Sequence, residues 1–338
     1  MNKSLISLSL ITVLAACGGG ISTYSENETQ ESEEQNEDSQ DLDSGEELEE
    51  QQEEETEETE ETEETEDIEP LADFSQWGPH YPYGITKETL TASVTGCDME
   101  YEVYTPYAEN PPTVILGHGF ARGSGVMAGW AEHFASWGVE VLLPTLCHYN
   151  VFSGVDHEMN GLNLQELADV RGLSEVVYAG HSAGGLAAVI AASQDVRAIG
   201  LLGLDATDTQ GSPGVPDVIG RVYAGTVTCP AFSIRGMPSS CNADGNGIDL
   251  FRMMGDYKAV KINGADHCDF ENPTDFICET ACSNAESTYS EEEIRSVILT
   301  LGTAAVMSLT DISADGTEWW TGEGLESWIQ SGIIQELE

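Results

Sequence analysis

From Thr113 onward, short apolar runs alternate with longer amphipathic ones. Thr113–Leu116, Val139–Pro144, Glu175–Ala179, Ala198–Leu204, Ala231–Arg235 and Ala259–Ile262 read as buried strands, being short, apolar and bounded by polar or Gly-containing turns. Val126–Trp137, Leu162–Asp169 and Leu186–Ala192 read as helices between them, the first closed by Gly138. Glu292–Met307 reads as a terminal helix with Ser290 as its N-cap. Strands apolar along their whole length, separated by crossover helices, predict an α/β fold: a mostly parallel central sheet with helices on both faces.

The first seventy residues follow another pattern. Lys3 precedes an apolar run from Leu5 to Leu14 that is too short to span a bilayer, and small residues follow at Ala15, Ala16 and Cys17. Leu14-Ala15-Ala16-Cys17 resembles the bacterial lipobox, which implies a signal peptide over residues 1–16, lipidation of Cys17, and an exported chain anchored by lipid to a cell-envelope membrane, at the outer membrane or cell surface. Residues 17–70 carry a Thr-Glu-Glu repeat from Glu53 to Glu66 and few apolar side chains, so they are expected to form a disordered acidic tether. That leaves 71–338 as one domain.

Charge narrows the functional classes. The 338 residues hold 11 Lys+Arg against 61 Asp+Glu, a net charge of −50, and 25 of the acids lie between Ile21 and Pro70. The body keeps 36 acids against 10 bases, which excludes nucleic-acid binding through phosphate contacts and leaves the N-terminal lipid as the route to a membrane. Of eight cysteines, removal of Cys17 leaves an odd seven. Cys268, Cys278 and Cys282 cluster, and a disulfide among them would suit an oxidising compartment and brace the nearby His267 loop.

Gly180-His181-Ser182-Ala183-Gly184 follows a predicted strand and precedes an Ala-rich helix, the context of the nucleophile elbow of α/β-hydrolases. The glycines allow a sharp strand-to-helix turn, and the helix start aims free N–H groups at developing negative charge. In that fold the chain order is Ser, acid, His, and His267 is the only histidine after Ser182. Two carboxylates compete for the acid: Asp205, just beyond the strand after the nucleophile helix, and Asp244, in the loop after the next strand. Asp205 is preferred because a strand end would hold it rigidly. The loop Gly117-His118-Gly119-Phe120 supplies an oxyanion hole from the N–H groups of Phe120 and Ala183, with Arg122 or Gly123 in the same loop and His118 structural.

Those segments, Gly180–Gly185 and Gly117–Phe120, resemble the chlorophyllases and the cutinase-like bacterial polyester hydrolases. Gly203-Leu204-Asp205 resembles the Gly-Leu-Asp-Pro of chlorophyllases and pancreatic-type lipases, where the Asp is the triad acid, although Ala206 stands where Pro is usual. The resemblance spans roughly residues 113–270 and implies a serine hydrolase that cleaves a small or polymeric carboxylic ester through an acyl-serine, without cofactor or metal, as a monomer. An amidase, thioesterase or acyltransferase could use the same groups, and a catalytically inactive surface-binding lipoprotein is the rival of another class. Few residues separate Asp205 from Cys229, so an open site without a large lid is expected. Asn242-x-Asp244-x-Asn246-Gly247 resembles half a calcium loop, but Met253 holds the place of its final Glu, and a polar turn is the expected role.

Overall fold

The computed structural model describes residues 72–75, 83–150, 154–209, 219–282 and 285–338, all within one compact unit, Asp67–Glu338. The expected signal peptide, Cys17 and the acidic tether lie outside the described residues. The described chain opens with an antiparallel hairpin, β1 (Ile85–Val94) and β2 (Cys97–Pro106), turning at Gly96 in the left-handed region. Strand β3 (Thr113–Gly117) leads through a 3₁₀ turn into α1 (Ala128–Ser136), followed by β4 (Glu140–Pro144) and the small ribbon of β5 (Tyr149–Asn150) and β6 (Gly154–Val155). Then come α2 (His157–Arg171), β7 (Val176–His181), α3 (Ala183–Gln194) and β8 (Ala198–Leu204). The short α4 (Arg221–Ala224), β9 (Ala231–Arg235), α5 (Ile248–Phe251) and β10 (Tyr257–Ile262) continue the alternation. The chain closes with α6 (Phe276–Cys282), α7 (Glu291–Leu309), α8 (Asp315–Thr321), α9 (Glu323–Ser331) and β11 (Ile334–Glu336).

Among the described residues nine strands join in one sheet, ordered β1-β2-β4-β3-β7-β8-β9-β10-β11. The six from β4 to β10 run parallel, while β1, β2 and β11 pair antiparallel at the two edges. The sheet is therefore mixed and mostly parallel. From β3 the chain first moves to β4 on one side, then to β7 on the other. That reversal opens a crevice between the carboxyl ends of β3 and β7, where ligands settle in open α/β sheets.

Both faces are covered, and the pleat divides the core accordingly. Val114, Leu116, Val177, Ala179, Leu202 and Leu204 point to one face, packed by α1 and α7 with Trp130, Phe134 and Leu301. Ile115, Val176, Tyr178 and Leu201 point to the other, under α2 and α3. This period-2 division explains why the strands read as continuous apolar runs: each is buried on both faces.

The predicted central elements are present, with shifted ends. The helix expected over Leu162–Asp169 begins earlier, at His157, because the Asp156 side chain accepts from the Met159 N–H and so satisfies a free helix-start donor. It ends at Gly172 in the left-handed conformation. Ser290 caps α7 as expected, in a reciprocal box with Glu293. Trp320 is buried and donates to the Leu301 carbonyl, and Trp319 stacks on Trp328 at the edge of the same packing. No helix among the described residues is long and apolar enough to cross a membrane.

Leu202 lies in the central parallel strand β8 and is fully buried. Leu202→Ala should lower the free energy of unfolding by about 2–5 kcal/mol through lost burial and a residual cavity. Urea titration of the two proteins checks this, and a difference under about 1 kcal/mol would contradict the central placement of β8.

Candidate active site

Strand β7 ends at His181 and α3 starts at Ala183, leaving Ser182 alone to make the turn. Its backbone sits at φ 55, ψ −121, sparsely populated for a residue with a side chain. The glycines around it allow that bend. A Cβ on Gly180 would collide with the Gly184 backbone, and one on Gly184 would lie 2.5 Å from Gly117 on the neighbouring strand. Gly117, Gly180 and Gly203 stand side by side across β3, β7 and β8, so the start of α3 settles directly on the sheet. Hydrogen bonds from the Ser182 N–H to Leu204 O (3.1 Å) and from the Thr207 N–H to Ser182 O (3.2 Å) hold the turn from the β8 side.

His267 comes from the loop after β10, at the start of a 3₁₀ turn capped by Asp266. Its Nδ1 donates to Asp205 Oδ2 at 2.6 Å, which leaves a lone pair on Nε2 able to accept a proton. Asp205 is fully buried and also accepts from the Gly236 N–H (3.1 Å) and Asn242 Nδ2 (3.0 Å). Burial pushes its pKa up, but the His267 hydrogen bond and charge, the Arg235 guanidinium and the Asn242 amide outweigh that and hold it below the ordinary range. Of the two acids the sequence left open, the structure thus joins Asp205 to His267. Asp244 is exposed and stands apart, at φ 55 in the turn after β9.

Ser182 and His267 line one cavity of about 290 Å³ with Gly119, Phe120, Arg122 and Glu271. The Ser182 hydroxyl and the His267 ring make no hydrogen bond to each other among the described residues. Such contacts often tighten only around substrate. The loop after β3 passes directly over the serine, since a Cβ on Gly119 would lie 3.2 Å from the Ser182 Cβ. The N–H groups expected to form the oxyanion hole, on Phe120 and Ala183, are absent from the turn, loop and cap hydrogen bonds that engage Ala121, Arg122 and Ser182 around them. His118 is buried, with Nδ1 on the Gly119 carbonyl and Nε2 accepting from the Leu146 N–H. Burial drops its pKa to about 4, so it is a neutral brace for this loop, as expected.

Several residues at the site escaped sequence reading. Asn242 is one: its amide binds Asp205 and the Met237 carbonyl, and its Oδ1 accepts from the Ser239 and Gly245 N–H groups. Asn246 is tied to the Asp208 backbone. In the stretch that resembles half a calcium loop, the Asn242 and Asn246 side chains are thus hydrogen-bonded within the protein, while Asp244 is exposed. His181 donates from Nε2 to the His267 carbonyl at 3.0 Å, with the two rings 4.5 Å apart. Glu271 is fully buried and receives a two-pronged bond from Arg122, Nε to Oε1 and Nη2 to Oε2, each 2.7 Å.

The wall of the cavity beside α6 is cross-linked. Cys268–Cys278 bridges the His267 loop to α6, within the cluster expected to brace that loop, and Cys241–Cys282 ties α6 to the turn holding Asn242. A third disulfide, Cys97–Cys147, pins β2, and the odd thiol is the buried Cys229. The segment between Asp205 and Cys229, expected to hold no large lid, falls partly on residues 210–218, outside the described residues. Among the described residues between Asp205 and Cys229 the helix formed is the four-residue α4. No protein-family model matches the chain, and no curated protein matches it.

Asp269, two residues after His267, is a second buried carboxylate with the opposite tendency. Burial and then the neighbouring Asp266 raise its pKa to about 6. Between an unfolded value near 4 and about 6 the folded chain binds the extra proton, so this group's contribution to stability falls as pH rises through that window. Asp269→Asn should therefore gain stability relative to wild type, by roughly 1–3 kcal/mol, between pH 4 and pH 7. Denaturant titrations at the two pH values measure it; a constant difference would contradict the raised pKa.

Proposed function

We propose that this chain is a serine hydrolase of the α/β-hydrolase fold that cleaves carboxylic esters through an acyl-serine intermediate. The observation that carries the reading is that Ser182, at its strained turn, lines one cavity with a His267 ring whose Nδ1 is held at 2.6 Å by the buried Asp205. Strain of this kind costs of order 1–3 kcal/mol and persists where function needs the geometry. Chain order, strand positions and the switch-point crevice all agree with that fold.

The chemistry follows from the atoms. Ser182 Oγ attacks the ester carbonyl carbon while its proton passes to His267 Nε2. The carbonyl oxygen becomes an oxyanion that accepts from the Phe120 and Ala183 N–H groups. Asp205 stays ionised and stabilises the imidazolium through Nδ1. Collapse of the tetrahedral adduct breaks the bond to the alcohol, which leaves with the proton from Nε2. Water then attacks the acyl-serine, giving its proton to Nε2, and the second collapse releases the acid and restores Ser182. This route runs entirely on the chain's own groups.

The export reading belongs to the same proposal. Disulfides persist in oxidising compartments, and the pairs found here suit a chain that leaves the cytoplasm under the lipobox-like leader. A lipid on Cys17 would then hold the hydrolase at an envelope membrane through its acidic N-terminal segment.

The test is hydrolysis of p-nitrophenyl esters from C2 to C12 by the wild-type chain and three variants. Ser182→Ala should lose at least about 10³-fold in kcat, and Asp205→Asn about 10³–10⁴-fold through the wrong His267 tautomer. Asp244→Asn should stay within about twofold of wild type. A folded wild-type chain that neither turns over any ester nor takes a fluorophosphonate label would defeat the reading.

A further inference from the structure

The loop after β3 and the loop after β10 are joined along a seam that the proposed reaction steps do not use. The Asn272 N–H donates to the Val126 carbonyl at 2.7 Å, and the Gly129 N–H donates to the Asn272 carbonyl at 2.7 Å. Trp130 Nε1 donates to the Phe270 carbonyl at 3.0 Å. Nearest the cavity, the seam ends in the Arg122–Glu271 fork, and Arg122 Nη2 reaches a second carboxylate, Asp275 Oδ1, at 3.0 Å. Arg122 is two residues past Phe120, the proposed oxyanion donor, and Glu271 is four residues past His267.

We infer that the Arg122–Glu271 ion pair is a positioning device that fixes the Phe120 N–H against the Ser182–His267 pair, so that the oxyanion hole is formed before substrate arrives. The inference rests on the esterase reading above. Its physical basis is the fork itself. Two parallel charge-assisted hydrogen bonds fix orientation as well as distance, which a single ammonium cannot do. The pair lies where little water competes, since Glu271 is fully buried and the Arg122 side chain is 12% exposed. Burial raises the Glu271 pKa, and the Arg122 charge and hydrogen bonds pull it back. The loop needs such a hold. Gly119 and Gly123 lend it freedom, Ala121 sits at φ 56, and the Ala121 N–H is tied only to the Tyr149 carbonyl of the small β5 ribbon. Hydrogen bonds other than the fork also join the two loops, at Asn272 to Val126 and Gly129 and at Trp130 to Phe270, so the double variant is expected to fold.

An oxyanion donor displaced by a fraction of an ångström loses transition-state stabilisation while ground-state binding is kept, so the loss should fall on kcat. Hydrolysis of p-nitrophenyl acetate and urea unfolding should be measured on wild type, Arg122→Met, Arg122→Lys and the double variant Arg122→Met with Glu271→Met. Arg122→Met leaves a buried carboxylate short of its partner and should lose both stability and about 10–10²-fold in kcat, with KM within about threefold. The double variant replaces both ends by apolar groups of similar length and should regain stability while kcat stays low. Arg122→Lys keeps the charge without the fork and should fall between.

A double variant with wild-type kcat, or a loss carried by KM alone, would overturn the inference while leaving the esterase reading intact. Wild type that shows neither acetate turnover nor fluorophosphonate labelling would overturn both.

Discussion

The site depends on one packing constraint, the approach of the start of α3 to the sheet. Gly184 rests on Gly117 of β3, and Gly180 of β7 lies against Gly184 itself. No side chain fits in either gap. With that approach fixed, the chain has one residue in which to turn from strand to helix, and Ser182 takes the φ 55 conformation that results. The same contact brings the loop after β3 over the serine, so the proposed nucleophile and the proposed oxyanion donors are set by one backbone event. The strain is offset by what surrounds it: the turn is hydrogen-bonded from β8, and α3 is buried along nearly its whole length.

The central half of the fold was legible because its physics is local. Strands β8 and β9 match their predicted limits, each being a continuous apolar run between two covered faces. Edge elements were harder to read. In β1 the polar positions Thr86, Glu88 and Thr89 dominate, since much of the strand is exposed and only alternate residues such as Ala92 turn inward. Strand β11 has three residues, too few to show a period, and is a strand because Val260 and Ile262 of β10 offer it partners. Helix α9 did carry signals in Leu325 and the left-handed Gly332, but lies beyond the alternating pattern that organised the rest.

At the candidate site, motif and chain order point to Ser182 and His267, which the structure brings to one cavity, whereas which carboxylate meets His267 needed three dimensions. Asp205 and Asp244 differ little as letters beside a strand end. They differ greatly in place, one fully buried on His267 and the other facing water. Glu271 and Asn242 had no motif to announce them. Their roles come from pairings across 149 residues to Arg122 and 37 residues to Asp205, and a single sequence does not encode such distances in any visible period.

Three buried carboxylates surround the His267 loop, and their environments sort them into different chemistries. Asp205 has the His267 ring, the Gly236 N–H, the Asn242 amide and the field of Arg235, and these hold it ionised despite complete burial. Glu271 has a whole guanidinium, and the contest between burial and that charge still leaves its pKa raised. Asp269 has the Asp266 N–H and Arg295 Nε at 3.5 Å, but burial and the neighbouring Asp266 charge outweigh them, and it rises to about 6. In a body with 36 acids and 10 bases, cations are scarce, yet the buried Arg235 and the largely covered Arg122 both act on the carboxylates of this site. A solvated surface does not need them there. His267 in its proposed role, where it would gain and lose a proton between fixed partners, does, because the ionisation of each neighbour sets the field in which that proton would move.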